Sequence, residues 1–285
     1  MANRSRMKTV ISASRRTDIP AFYLNWFIEA IRQGWVDVAN PFFPQNVKRV
    51  SLHPDDVSWI VFWSRNYGPF LRKRSAFEAY RLFFHFTILT PSVLEKHPME
   101  VNKQLEQMER LVTYYGPQTI IWRYDPLVFW EENGALRSNF SLSDFERLAK
   151  TIGGFGVKRC YTSLVFPYAK FKSRLARTFP AFRLSEQPHA FALESVKEMV
   201  AIAQESGIQI YACCTDALLK IEGVKKGHCI DGHLLNQLSP EGRVSEAKSP
   251  TRPQCGCTRS IDIGDYRHQP CYFGCLYCYA NPVWK

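Results

Sequence analysis

The stretch Thr9-Val10-Ile11-Ser12-Ala13, followed by Ser14-Arg15-Arg16-Thr17-Asp18 and then Pro20, sets the reading of the whole chain. A short apolar, β-branched run predicts a buried strand, and the polar cluster after it predicts a loop. Pro20 opens a helical pattern through Phe22, Trp26, Phe27 and Ile31 that Gly34 ends, with proline at the start and glycine past the end. Strand, charged loop and helix make one βα unit.

The same order recurs. Trp59–Trp63 closes on Ser64-Arg65-Asn66, and Leu82–Phe86 closes on Thr87. A helix over Val101–Tyr115 leads through Gly116 to Thr119–Trp122 and Arg123-Tyr124-Asp125-Pro126. Ser141 with Asp144 caps a further helix, which feeds Lys158–Ser163; a helix over Ala192–Glu205 feeds Ile208–Cys214. Alternating strands and helices of this kind predict an α/β fold with a parallel sheet. The expectation is a (β/α) TIM-like barrel, complete or partial, over residues 1–215. No G-x-G-x-x-G follows the first strand, which weakens a dinucleotide-binding alternative.

In such a barrel, chemistry gathers at the C-terminal strand ends. Those ends deliver Arg15, Arg16 and Asp18; Ser64, Arg65 and Asn66; Thr87; Arg123 and Asp125; Ser163; and Cys214. Buried charges are costly unless paired, so Arg-Arg-x-Asp and Arg-x-Asp suggest an anion site; rim salt bridges that fasten loops are the plainer alternative. His85, set among phenylalanines, reads as a hydrogen-bonded core residue.

From residue 216 to 285 the periodicity dissolves into segments rich in Cys, Gly, Pro and His. This predicts a cysteine-rich metal-binding extension packed on the barrel mouth and stapled by metal. Cys271, Cys275 and Cys278 form a C-x-x-x-C-x-x-C array with Tyr277 before the third cysteine. Three thiolates on a four-iron [4Fe-4S] cube leave one iron open to a non-protein ligand. A tetrahedral zinc site with a fourth ligand such as His268, or three plain buried thiols, are the alternatives. Cys214, Cys229, Cys255 and Cys257 form a second candidate set, for an auxiliary Fe-S cluster or a zinc ion. Strand alternation places Cys214 on the face of Ala212 and Ile210 and Cys213 on that of Tyr211. Cys160 reads as core.

Nine cysteines, a polar start at Met1–Arg6 and no apolar stretch near the roughly 18 residues of a membrane span predict a reducing, cytoplasmic setting without membrane contact. The net charge of +11 permits nucleic-acid binding. Its basic residues are scattered (Arg4, Arg6, Lys8; Arg72, Lys73, Arg74; Lys170, Lys172, Arg174; Lys225, Lys226), which fits a solvated face better than a binding stripe. Glu241–Pro253 reads as a mobile loop.

Ser12-Ala-Ser-Arg-Arg-Thr-Asp-Ile-Pro20, Ile60-Val-Phe-Trp-Ser-Arg-Asn66, Trp122-Arg-Tyr-Asp-Pro126, Cys255-Gly-Cys257, Ser260-Ile-Asp-Ile-Gly264 and Cys271 to Asn281 together resemble a bacterial radical-SAM-like family catalogued as a domain of unknown function. The likeness spans almost the whole chain and extends to a protein of arsinothricin biosynthesis. It implies a [4Fe-4S] cluster on Cys271, Cys275 and Cys278, with S-adenosylmethionine (SAM) on the open iron and Tyr277 beside the adenine. Ser64, Arg65, Asn66 and Thr87 are then candidates for cofactor binding, and Arg15, Arg16, Asp18, Arg123 and Asp125 for catalysis. The reaction implied is cleavage of a SAM C-S bond, giving a 5′-deoxyadenosyl radical or transferring a 3-amino-3-carboxypropyl group to a small-molecule substrate, with a flavodoxin or ferredoxin-like reductant. Unlike ordinary radical SAM enzymes, the cluster motif here follows the last strand rather than the first. Two other classes stay open: a metal-stapled nucleic-acid-binding or repair protein, and a zinc-dependent hydrolase.

Overall fold

Thr9–Ala13 forms the expected strand, buried from Val10 onward. The computed structural model describes residues 7–185 and 189–284. The polar start, with Arg4 and Arg6, lies outside the described residues.

The other apolar runs follow suit as Val57–Ser64, Arg81–Thr87, Ile120–Arg123, Arg159–Thr162 and Gln209–Ala212. With two short strands that the sequence did not announce, Val224–Lys226 and Ile261–Asp262, they make a large parallel eight-stranded sheet in a mixed α/β fold. Its order is Val224–Lys226, Gln209–Ala212, Arg159–Thr162, Ile120–Arg123, Arg81–Thr87, Val57–Ser64, Thr9–Ala13, Ile261–Asp262. Seven strands thus lie side by side in chain order, and the last is added beyond the first. Among the described residues no strand pairing joins the two edges, so the sheet is open rather than a closed barrel.

The chain forms two compact units. One holds the residues through His85 together with His228–Gln269; the other holds Phe86–Gly227 and the residues from Pro270 onward. The cysteine-rich tail, expected as one extension, is therefore divided between them.

In the first unit, Ile19–Tyr23 and Leu24–Gln33 form the helical segment begun at Pro20, and Gly34 ends it at a φ of 81°, a conformation glycine adopts without a Cβ clash. Phe27, Phe62, Phe70, Phe77 and Phe84 pack as one aromatic cluster, with Phe62 and Phe70 ring centroids 5.3 Å apart and Phe27 and Phe77 5.7 Å apart. Such pairs each add about 0.5–1.5 kcal/mol beyond area burial. An antiparallel hairpin, Trp35–Ala39 with Val47–Ser51, completes the regular structure before the second sheet strand. Glu241–Pro253 has no regular structure but is fastened: Ser58 donates to the Gly242 carbonyl, and Val244 is buried.

In the second unit the helix Val101–Tyr115 has the bounds read from its apolar stripe. Ser141 accepts from the Asp144 amide to cap Leu142–Gly154. Trp122 stacks on Phe145 at 5.2 Å beneath that helix. A three-stranded antiparallel sheet of Phe129–Glu132, Ala135–Ser138 and Phe182–Leu184 stands apart from the main sheet. No helix among the described residues is long and apolar enough to cross a membrane.

Candidate functional site

The first strand and the loop after it carry two buried carboxylate centres of the first unit. Asp18 caps the helix that follows, accepting from the Ala21 amide at 3.0 Å. Its carboxylate also takes the Ser64 hydroxyl at 2.7 Å and the Arg65 amide at 3.0 Å. Burial outweighs these hydrogen bonds and the Arg65 charge, and raises its pKa from 3.8 to about 6. Asn66 works locally: its side chain accepts from the Gly68 amide at 2.9 Å, ahead of the short helix Gly68–Arg72.

Asp262, which the sequence reading did not single out as a site residue, is the second centre. It accepts from Ser12 Oγ at 2.6 Å, Ser14 Oγ at 3.2 Å and the Arg15 amide at 3.0 Å. The Arg15 and Arg16 guanidinium groups lie 3.8 and 3.5 Å from its other oxygen. Arg16 further donates to the carbonyls of Ala39 and Gly264 at 3.2 and 3.1 Å. The two arginines expected to prepare an anion site are thus engaged by the chain itself, and with Asp262 rather than Asp18. Only the Ile-Asp-Ile alternation around Asp262 hinted that it faces inward from a strand.

The same unit gathers Cys229, Cys255 and Cys257. The Cys257 sulfur shares hydrogen bonds with those of Cys229 and Cys255, which together with burial push its thiol far above the ordinary range. It also accepts from the Ile230 amide at 3.4 Å. A Cβ on Gly256 would stand 2.8 Å from Nε2 of His228, so that imidazole lies directly over the Cys255-Gly256-Cys257 turn. His85, wholly buried, bonds through Nε2 to the Cys229 carbonyl at 2.7 Å and stacks on Trp63 at 4.8 Å. Cys214 belongs to the other unit. Its φ of 52° is left-handed, and the strand before it stops at Ala212, so the alternation argument does not carry as far as Cys213 and Cys214.

In the second unit, Asp125 takes hydrogen bonds from both the Arg123 guanidinium and the Ser163 hydroxyl. Thr87 ends its strand half-buried, its carbonyl accepting from Gln104 at 3.1 Å. Tyr124 bonds to Thr90 at 2.6 Å, and burial raises its phenol to about 12.

The terminal cysteines sit on a loop tied down from three directions. The Val283 amide donates to the Cys271 carbonyl at 2.8 Å, closing the loop on itself. Backbone bonds of Leu276 to Leu94, Lys96 to Gly274 and His97 to Phe273, at 2.9, 3.2 and 3.2 Å, lay it along residues 94–97. Arg174 donates to the carbonyls of Leu276, at 3.0 Å, and Cys278. Burial lowers the Arg174 pKa, and the Cys278 and Cys275 sulfurs beside it oppose that shift. Tyr277 donates to the buried Glu95 carboxylate, a partner no sequence signal had marked. Gly274 turns the chain at a φ of 64°; a Cβ there would meet the Lys96 Cβ at 2.8 Å and the Val283 carbonyl at 3.0 Å.

All nine cysteines are free thiols. Among the described residues no three or more His, Cys, Asp or Glu side chains already stand as a closed metal cage. His268, considered as a fourth zinc ligand, instead bonds Asp265 at 2.8 Å and is exposed. The donor set of the terminal loop is therefore three sulfurs with a guanidinium at their side, which suits an anionic thiolate-bound cluster.

No curated protein matches the chain. Residues 10–280 match the family described as a domain of unknown function, DUF1848, and the chain belongs to that family.

Proposed function

We propose that this protein is a radical-SAM-type enzyme that holds a [4Fe-4S] cluster on Cys271, Cys275 and Cys278 and cleaves S-adenosylmethionine. One observation carries the reading: three free thiols on one loop, pinned by backbone bonds to residues 94–97 and by Arg174, whose charge lies beside two of them. When bound, such a cluster supplies an electron to the sulfonium and breaks a C-S bond, giving a 5′-deoxyadenosyl radical or a 3-amino-3-carboxypropyl fragment.

The chain's own residues supply position and charge. Arg174 fixes the carbonyls on either side of Tyr277 and offsets the negative charge that three thiolates bring. The Glu95 bond turns the Tyr277 ring to a set orientation, the residue the family resemblance puts against adenine. The chain-order succession of parallel strands supports a partial TIM-like barrel as the scaffold. Free thiols throughout support a reducing, cytoplasmic setting with a flavodoxin or ferredoxin-like donor.

The test is anaerobic reconstitution with iron and sulfide, followed by dithionite and SAM. Expected are a [4Fe-4S] spectrum that Cys275→Ser abolishes, and a cleaved-SAM product whose identity tells which C-S bond breaks. Intact SAM over a fully loaded cluster would overturn the reading.

A further inference from the structure

The first unit contains a second sulfur group that the proposed reaction does not use. Cys229, Cys255 and Cys257 are close enough for their thiols to share protons. Cys255 and Cys257 are buried, at 8 % and 2 % exposure. The Ile230 amide already points at the Cys257 sulfur from 3.4 Å, the backbone N–H to sulfur contact that supports a thiolate. Thr258 secures the same turn, its amide donating to the Ile230 carbonyl at 2.9 Å and its hydroxyl accepting from the Gly232 amide at 2.9 Å.

A nitrogen donor completes the group. The His228 ring lies over Gly256, where any Cβ would meet Nε2 at 2.8 Å, so the glycine between the two cysteines leaves room for an imidazole and nothing larger than hydrogen on that side. Sequence and space together give three sulfurs and one nitrogen from His228-Cys229 and Cys255-Gly256-Cys257.

We infer that Cys229, Cys255, Cys257 and His228 form a structural zinc site of Cys3His type, separate from the terminal cluster loop. A cubane spreads its thiolates over different irons, whereas a single ion draws them onto one atom. Thiols near enough to hydrogen-bond match the second case. In the thiol form S–H groups stand between the sulfurs and the cage is not closed; binding Zn²⁺ releases the three thiol protons and lets the sulfurs converge on the ion. Four protein donors fill a tetrahedral shell, which marks the site as structural rather than catalytic. Its work is to join the segment around His228 to that around Cys257, stretches too short of apolar periodicity to hold each other.

The test is metal analysis of full-length protein purified without air from zinc-supplemented cells. Wild-type protein is expected to carry one zinc per chain in addition to iron. Cys257→Ser and Cys255→Ser should lose the zinc and keep the iron; Cys275→Ser should do the reverse, so that the two metal assignments fail or stand separately. Titration of zinc-stripped wild-type protein with Co²⁺ should give the intense d–d bands of tetrahedral thiolate cobalt, weakened by His228→Ala, a readout that does not depend on a folded cysteine variant. Wild-type protein without zinc and without those cobalt bands would overturn the site, as would loss of iron rather than zinc in Cys257→Ser.

Discussion

The Tyr277 hydroxyl donates to the Glu95 carboxylate, tying the residue before the last motif cysteine to the segment that pairs with Cys275. Both residues are buried. Removing the donor leaves a buried carboxylate short of a partner, which costs about 1–3 kcal/mol. Tyr277→Phe should lower apoprotein stability by that amount in urea unfolding, while Glu95→Gln, which keeps an acceptor, should lower it less. Equal stability of both variants and wild type would show the bond to be idle.

Asp18 makes stability depend on pH. Its folded-state pKa is raised from 3.8 to about 6, chiefly by burial, so the neutral carboxyl is the form the fold favours. At about 1.4 kcal/mol per unit, the contribution is about 3 kcal/mol. It is whole below pH 3.8 and is lost as pH rises through 6. The stability difference between wild type and Asp18→Asn should therefore shrink by about 3 kcal/mol between pH 4 and pH 7. A flat difference across that window would sink the assignment.

Asp262 neutralises two guanidinium groups and takes three hydrogen bonds with a side chain only 14 % exposed. Asp262→Asn leaves two partly buried cations without their carboxylate and should destabilise by about 3–5 kcal/mol. Ser12→Ala, which deletes one neutral donor, should remove about 1 kcal/mol. Denaturant midpoints at constant slope give both values.

Arg174 should govern how well the terminal loop holds iron. Arg174→Gln withdraws the charge beside Cys275 and Cys278 and weakens the grip on the Leu276 and Cys278 carbonyls. The expected outcome is a several-fold lower iron-to-protein ratio after reconstitution, with Arg174→Lys recovering part of it through charge alone. Unchanged iron content in Arg174→Gln would refute the role.

The principal strands were legible because their residues are apolar on both faces and bounded by caps and glycines, as at Thr9–Ala13 and Val57–Ser64. The hairpin Trp35–Ala39 with Val47–Ser51 was not, since Lys48 and Arg49 lie exposed in a solvent-facing strand with little apolar signal. Ile261–Asp262 is too short to have a period at all, and its pairing with Ile11 and Ser12 is a contact between distant parts of the sequence. For the same reason the reading chose Arg15, Arg16 and Asp18 correctly as inward-lying groups but missed Asp262, the carboxylate that Arg15 and Arg16 answer to. Cysteine spacing marked the terminal trio, whereas the Cys229, Cys255 and Cys257 group emerges only when folding closes the gap between residues 229 and 255.

Gly274 bears on how distant relatives are to be found. Its left-handed turn and the Lys96 and Val283 atoms that crowd its missing side chain make the third spacer of the motif as constrained as the cysteines around it. A search string for proteins sharing this loop is better written C-x-x-G-C-x-x-C than with three unspecified spacers. Hits with a bulky residue before the second cysteine would need to wrap their sulfurs by a different path.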